Sequence, residues 1–310
     1  MVNDVWTLLR ETVTSFIKDE ALSRGASIAF YAMTSLAPLL FIVIAIAGLA
    51  FGRDAAQGAI VAQLGGMMGR ESADLLQDVI KGASSATAGV FAAIAGVVTL
   101  ILTASGVFGE IQSALNAFWR VEEESLTEQK ENLGTTISNL VRARAASIGL
   151  VAALGFLLIV SLAVSAGLTA LGDYINAQLP FGETILGTLN FVISFALLTA
   201  LFAAIYKVLP DRPLAWGDVI VGALATALLF TLGKTLIGLY IGSSAVGSTY
   251  GAAGALIIIL LWVYYSAQIF LLGAEFTKVY ARHFGSMRAR KKESAKLAPE
   301  TKPADARAAV

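Results

Sequence analysis

An all-α, polytopic membrane fold is what this sequence predicts, and two observations predict it. Six stretches are each long and apolar enough to cross a bilayer, and the basic residues between them alternate by side. The stretches are 28–51, 88–108, 145–171, 185–207, 217–241 and 251–273. Roughly 20 apolar residues, rising about 1.5 Å each, cross a hydrocarbon core of about 30 Å. Inside that core every backbone amide needs an internal partner, so the six stretches are expected as transmembrane helices. The period-2 alternation of a membrane strand is absent.

Composition agrees. Of 310 residues, 57% are hydrophobic and 14% charged, and the mean hydropathy is +0.75, outside the usual range for a soluble domain. The chain has no cysteine, which excludes disulfides, thiolate zinc sites and thiol catalysis. Its single histidine, His283, lies beyond the last span and leaves no basis for a multi-histidine metal site. No metal, cofactor or enzymatic activity is expected. Residues 1–24 carry charges throughout, with no cleavage site after an apolar run. The first span is therefore expected to act as an uncleaved anchor.

Orientation follows from lysine and arginine between spans. The two chain ends and the connections on their side hold 18 of these residues, and the opposite side holds 3. Both termini are therefore expected in the cytoplasm of a multi-pass inner-membrane protein. Trp119 and Trp216 then fall near the cytoplasmic interface, where indole rings anchor helices.

Taken in order, residues 3–24 read as an amphipathic surface helix, with Val5, Leu8, Leu9, Thr12, Val13 and Phe16 at helical spacing. Pro38 interrupts the first span and predicts a bend or hinge there. The connection 52–87 is long and apolar, and suggests two amphipathic helices split near Gly65, Gly66 and Gly69. The connection 109–144 reads as a cytoplasmic helical hairpin whose Glu122-Glu123-Glu124 run is a solvated turn. Leu209-Pro210-Asp211-Arg212-Pro213 is a tight turn between the fourth and fifth spans. The domain division is thus a six-helix membrane unit, 1–284, and a disordered basic cytoplasmic tail, 285–310. In the tail Arg288, Arg290, Lys291 and Lys292 would lie against anionic headgroups, each contributing about 1 kcal/mol near the surface.

Four short signatures in order resemble the YihY/virulence factor BrkB family of bacterial inner-membrane proteins. They are Arg24-Gly25-Ala26 running through Ala29, Tyr31 and Leu36 to Ala37-Pro38-Leu39-Leu40; Ala114-Leu115-Asn116 with Trp119; Leu209-Pro210-Asp211-Arg212; and Tyr250-Gly251, Leu261-Trp262 and Leu272-Gly273-Ala274-Glu275. The resemblance implies six spans with cytoplasmic termini. The family carries an old ribonuclease label, and some members look like candidates for lipid or lipid A-type transport. Phosphodiester hydrolysis would need clustered carboxylates for a divalent metal, or an acid/base histidine pair, with a basic face for RNA. Here the carboxylates are scattered and the one histidine is juxtamembrane, so no nucleic-acid partner is expected.

Polar groups within the spans are the candidate functional residues. Lys234 lies within the outer half of the fifth span, where a lysine costs roughly 2.5–3.5 kcal/mol at the bilayer centre. On a helical wheel it shares a face with Ala223, Ala227 and Gly238, which turns the ammonium toward the bundle. With Asn190 and Ser194 of the fourth span it would form a pocket for a phosphate or carboxylate. The competing reading is a lysine that snorkels outward and only anchors its helix. A second group is Tyr264, Gln268 and Glu275 on one face of the sixth span, with Arg24 and Glu110 at similar height. An Arg24–Glu110 or Arg24–Glu275 pair would close the inner side, either as plain structure or as a gate. Asn116 is expected to cap or bridge within the second connection.

These features favour a transport-type protein handling an anionic lipid or other amphiphile without an ATPase of its own. The rival is a non-transporting scaffold for envelope machinery. Membrane lipids are the expected partners, and a second copy of the chain or envelope proteins remain open.

Overall fold

The computed structural model describes residues 2–68, 77, 106–119, 182–212, 214–243 and 252–288. Apart from turns, all of these residues are helical. The predicted span 145–171, most of 88–108, the acidic run at 122–124 and the tail beyond Arg288 lie outside them.

The described helices are α1 (Val2–Lys18), α2 (Ala21–Phe51), α3 (Arg53–Met68), α4 (106–119), α5 (Gly182–Val208), α6 (Trp216–Ser243) and α7 (Ala252–His283). Three helices among the described residues are long and apolar enough to cross a membrane, over Leu186–Val208, Trp216–Tyr240 and Leu256–Arg288. They coincide with the fourth, fifth and sixth stretches expected from sequence. The first stretch lies within α2, which runs unbroken through Pro38.

Two boundaries differ from the sequence reading. The surface helix ends at Lys18, and residues 21–27 open α2 instead. Between the two helices Glu20 takes a left-handed backbone, φ 54°, which L-residues other than asparagine and aspartate seldom adopt. Helix α7 continues ten residues past Gly273, so that its 32 residues rise about 48 Å and outreach a core of about 30 Å. Polar residues after Gly273 therefore mark where the helix leaves the apolar layer, not where it stops. At the other end of α2, Gly52 has φ 85° and turns the chain sharply into α3, which then runs through Gly65 and Gly66.

The central contact joins α6 and α7, antiparallel, through the same short pattern used twice. Each carries Gly-Ala-x-x-Thr, as Gly222–Thr226 and as Gly273–Thr277. Thr277 fills the space over Gly222, where an added methyl would lie 1.8 Å from its hydroxyl oxygen. Reciprocally, Thr226 fills the space over Gly273, where a methyl would lie 1.9 Å from Thr226 Oγ1 and 2.7 Å from the Tyr206 hydroxyl. Each threonine hydroxyl donates back to the carbonyl of its own glycine, at 2.7 Å for Thr226 and 2.6 Å for Thr277. Small residues let the backbones approach, and the hydroxyls stay satisfied without water. Helix α5 is tied to the same point by Tyr206, which is fully buried and donates to the Phe270 carbonyl at 2.7 Å. The rings of Phe202, Tyr206 and Phe270 pack together beside it.

Outside this seam, α5 and α6 present large apolar side chains to their surroundings. Phe191, Val192, Leu228, Leu232, Leu236 and Leu239 are all exposed. A continuous surface of this kind suits lipid and not water.

Candidate functional site

At one end of the bundle, the α1–α2 turn, the end of α4, the α5–α6 turn and the last turns of α7 meet. Three ionisable side chains are enclosed there. The Lys278 ammonium lies 2.5 Å from Asp19 Oδ2 and 2.8 Å from Glu275 Oε2. The Lys278 side chain is 5% exposed, Asp19 25% and Glu275 0%. Glu275 and Lys278 reach each other because residues three apart share a helix face. Asp19 is delivered from the tight turn before α2. The Phe118 ring of α4 stands 5.8 Å from the same ammonium and covers it with its negative face. The approach of Lys278 to Glu275 is not aligned as a hydrogen bond, so both Glu275 carboxylate oxygens lack a hydrogen-bond partner.

Around this core, further contacts fasten the end. Asn116 Nδ2 donates to Asp211 Oδ2 at 2.5 Å, and the Asp211 amide donates back to Asn116 Oδ1 at 2.9 Å. Gln112 adds a donor to Asp211 Oδ1 at 3.1 Å, and Arg212 reaches the Trp119 carbonyl at 3.4 Å. Asn116 therefore bridges two distant segments instead of capping its own connection. Replacing it with alanine is expected to strip Asp211 of two partners and lower stability by about 1–3 kcal/mol. Protease sensitivity of the 208–214 turn would report the loss. Ser286 donates through its amide and hydroxyl to Asp218 at the start of α6, which ties the end of α7 to that helix. His283 lies 2.7 Å from Glu11 on α1.

The residues singled out from sequence divide between this end and the rest of the bundle. Glu275 is at its centre, but its ion pair is with Lys278, not Arg24. Arg24 instead directs its Nε to the Asp19 carbonyl at 3.2 Å, and among the described residues it forms no ion pair with Glu110 or Glu275. Glu110 is half-buried on α4. Gln268 belongs to the α2–α7 contact: its amide donates to the Leu22 carbonyl at 3.2 Å, and its side chain occupies the space over Gly25. Tyr264 is half-buried, about 16 Å along α7 from Glu275 by helical rise. Pro38 sits inside α2. Trp119 is buried and not an interfacial anchor, whereas Trp216 is exposed, with the Lys207 ammonium 5.3 Å from its ring.

The other group lies on the apolar surface. Lys234 is exposed although Ala223 and Ala227 are buried. The wheel misplaces it because the packed face rotates along α6. Beyond Thr226 the contacts pass to Gly233, against Tyr265 and Ile269, and to Ile237, against Ile258, Leu261 and Trp262. Ser194 and Asn190 are exposed on α5. The Phe202–Phe230 and Tyr206–Thr226 contacts set the register of α5 and α6. That register puts Lys234 level with Leu198, about one turn (~6 Å) from Ser194 and about two turns (~12 Å) from Asn190. Lys234 and Ser194 are thus close in height, and Asn190 is not.

Electrostatics at the enclosed end set burial against the charge of Lys278. Burial pushes the Asp19 carboxyl up, but the hydrogen bond from Lys278, the nearness of Glu275 and the charges of Lys278 and Lys18 outweigh it and hold Asp19 below its ordinary 3.8. A lowered folded value contributes stability above 3.8 that disappears as pH falls through the folded value. Docking of α1 on α7 is therefore expected to persist through mildly acidic pH and loosen only below 3.8. Hydrogen exchange of α1 amides checks this, and Asp19→Asn should remove the acid step.

Lys278 and Asp19 were not singled out from sequence. A signal for Lys278 existed in the i, i+3 spacing to Glu275 on an otherwise apolar helix. Asp19 had none, because only the turn at Glu20 brings it inward.

Comparison with known proteins adds to this geometry. A family model described as "Virulence factor BrkB" matches residues 12–298. A UPF0761 membrane protein of Rhodospirillum centenum is 28% identical over 279 residues, covering 88% of this chain and 57% of that protein. One from Ralstonia nicotianae is 32% identical over 181 residues, 58% of this chain and 37% of the relative. One from Psychromonas ingrahamii is 29% identical, covering 66% of this chain and 64% of the relative. The chain spans about half the length of the first of these curated relatives. No solved structure matches it.

Proposed function

Because the chain belongs to the virulence factor BrkB family of membrane proteins, we propose that it is an inner-membrane transport-type protein. In this reading it moves an anionic lipid or similar amphiphile without an ATPase of its own, with the enclosed ionic end on the cytoplasmic side. The observation that carries it is a charged side chain standing on a lipid-suited surface. Lys234 is exposed on an otherwise apolar helix whose opposite side exposes Leu232, Leu236 and Leu239, and Ser194 of α5 lies about one turn away in height. An ammonium in that position costs free energy unless an anionic group meets it. A lipid headgroup drawn to the side of α6 that carries Lys234 supplies such an anion, and acyl chains match the leucines exposed round the rest of that helix. Exposure of Lys234 favours lateral contact of this kind over a closed pocket.

The Asp19–Lys278–Glu275 cluster supports the same reading from the other end, since it ties α1 and α7 together by ion pairs there. The test is a vesicle reconstitution with a fluorescent anionic phospholipid, followed by quenching of the outer leaflet. Wild-type protein is expected to move lipid faster than protein-free vesicles, and Lys234→Gln to lose at least about tenfold, equivalent to about 1.4 kcal/mol. Lipid movement equal to that of protein-free vesicles would favour the scaffold instead. Movement unchanged in Lys234→Gln would remove that residue from the mechanism.

A further inference from the structure

Two carboxylates share one ammonium at the enclosed end, and their surroundings are unequal. Glu275 is 0% exposed, with neither oxygen hydrogen-bonded, whereas Asp19 is 25% exposed and accepts a 2.5 Å hydrogen bond from Lys278. With all three groups ionised the cluster holds a net charge of −1, with Glu275 and Lys278 buried and only the Asp19 edge open to water. Enclosed uncompensated charge is unfavourable, and the group with the least hydration and the fewest hydrogen bonds is the one to neutralise.

We infer that Glu275 is a proton-binding site, so that the cluster alternates between net charges of −1 and 0. The proton enters from water at the Asp19 edge and forms one O–H bond on a Glu275 oxygen. No other bond forms or breaks. The new hydroxyl then donates to Asp19, which gives a partner to an oxygen that otherwise has none. Lys278 stays charged, held by Asp19 and by the Phe118 ring. Among the described residues, the charged groups that face the site are Lys278 on α7, Asp19 and Lys18 at the α1–α2 turn, and Arg24 of α2 through the Asp19 carbonyl. From α4 the facing group is the uncharged Phe118 ring. Asp19 is held below its ordinary value by Lys278, by the nearness of Glu275 and by Lys18, which keeps it ionised as the acceptor while Glu275 carries the proton.

The inference stands apart from the transport reading, because proton occupancy can be measured without any lipid movement. Infrared difference spectroscopy of the full chain in lipid bilayers, titrated with pH in H2O and D2O, tests it. A carboxylic-acid band that shifts in D2O is expected to persist well above the ordinary glutamate value of about 4.3, and to vanish in Glu275→Gln. Asp19→Asn, which removes the neighbouring negative charge but keeps an acceptor, should move the midpoint of that band to lower pH. No such band above the ordinary range would overturn the inference. So would a band that survives in a folded Glu275→Gln protein, or a midpoint unmoved by Asp19→Asn.

Discussion

Lys278→Met is expected to be the most damaging single substitution in the described part of the molecule. Among the described residues it removes the one cation paired with both Asp19 and Glu275, and so leaves the buried Glu275 carboxyl without its ion-pair partner. Losing one member of a buried pair costs on the order of 3–5 kcal/mol, more than an exposed pair would. Methionine keeps much of the lysine stem's packing on Phe118, so the loss is mainly electrostatic. The stranded carboxyl is the source of the cost, and adding Glu275→Gln to Lys278→Met should recover more than half of it. Unfolding in mixed lipid and detergent micelles, run as a double-mutant cycle, measures that recovery. Equal stability of the single and double variants would mean that the Lys278–Glu275 contact is energetically idle.

Gly273→Ala comes second. The added methyl would meet Thr226 Oγ1 at 1.9 Å, Thr226 Cβ at 2.8 Å and the Tyr206 hydroxyl at 2.7 Å. None of these atoms is the free end of a long side chain, so the helices themselves must separate. Overpacking of this kind costs about 1–3 kcal/mol. The hydrogen bonds of Tyr206 to Phe270 and Thr226 lie at the same point and would be strained with it. Thr226→Ala should relieve only the oxygen contact, since Cβ remains, whereas Thr226→Gly should restore most of the fit. Melting temperatures of the three variants in detergent check that ranking. Gly52, with open space around it, offers a contrast, because any cost of Gly52→Ala comes from its φ of 85° and not from contact.

Sequence alone revealed the helices whose signal is a long uninterrupted apolar run. Helices α5, α6 and α7 appear where hydropathy places them, since the bilayer's demand on the backbone leaves little choice. Their ends were less legible. Arg24 and Glu275 look like borders by polarity, yet hydrogen bonding carries α2 and α7 past both. Facing was harder still. Lys234 shares a wheel face with buried Ala223 and Ala227, but packing shifts to Gly233 and Ile237 about two to three turns on, and a single-face wheel cannot follow that shift. Glu275 could be picked out because one acid stood on an apolar helix. Its partners could not, because Asp19 and Phe118 come from segments 256 and 157 residues away along the chain. The short signatures of the family became intelligible only once Asn116 met Asp211 and Gly25 received Gln268.

Segments remote in the chain close one end of an apolar bundle around buried ions, and the chain's lack of cysteine allows that to be tested directly. The Gln268 side chain lies where a Gly25 side chain would begin, with Cδ 2.8 Å from that point. Cysteines introduced together at Gly25 and Gln268 should therefore form a disulfide in native membranes under mild oxidation, since the Gln268 side chain already spans the gap that the two sulfurs would fill. Near-complete cross-linking, with none for the pair Gly25 and Tyr264, is the predicted result. Free thiols at both positions after oxidation, in protein that still resists unfolding, would contradict it.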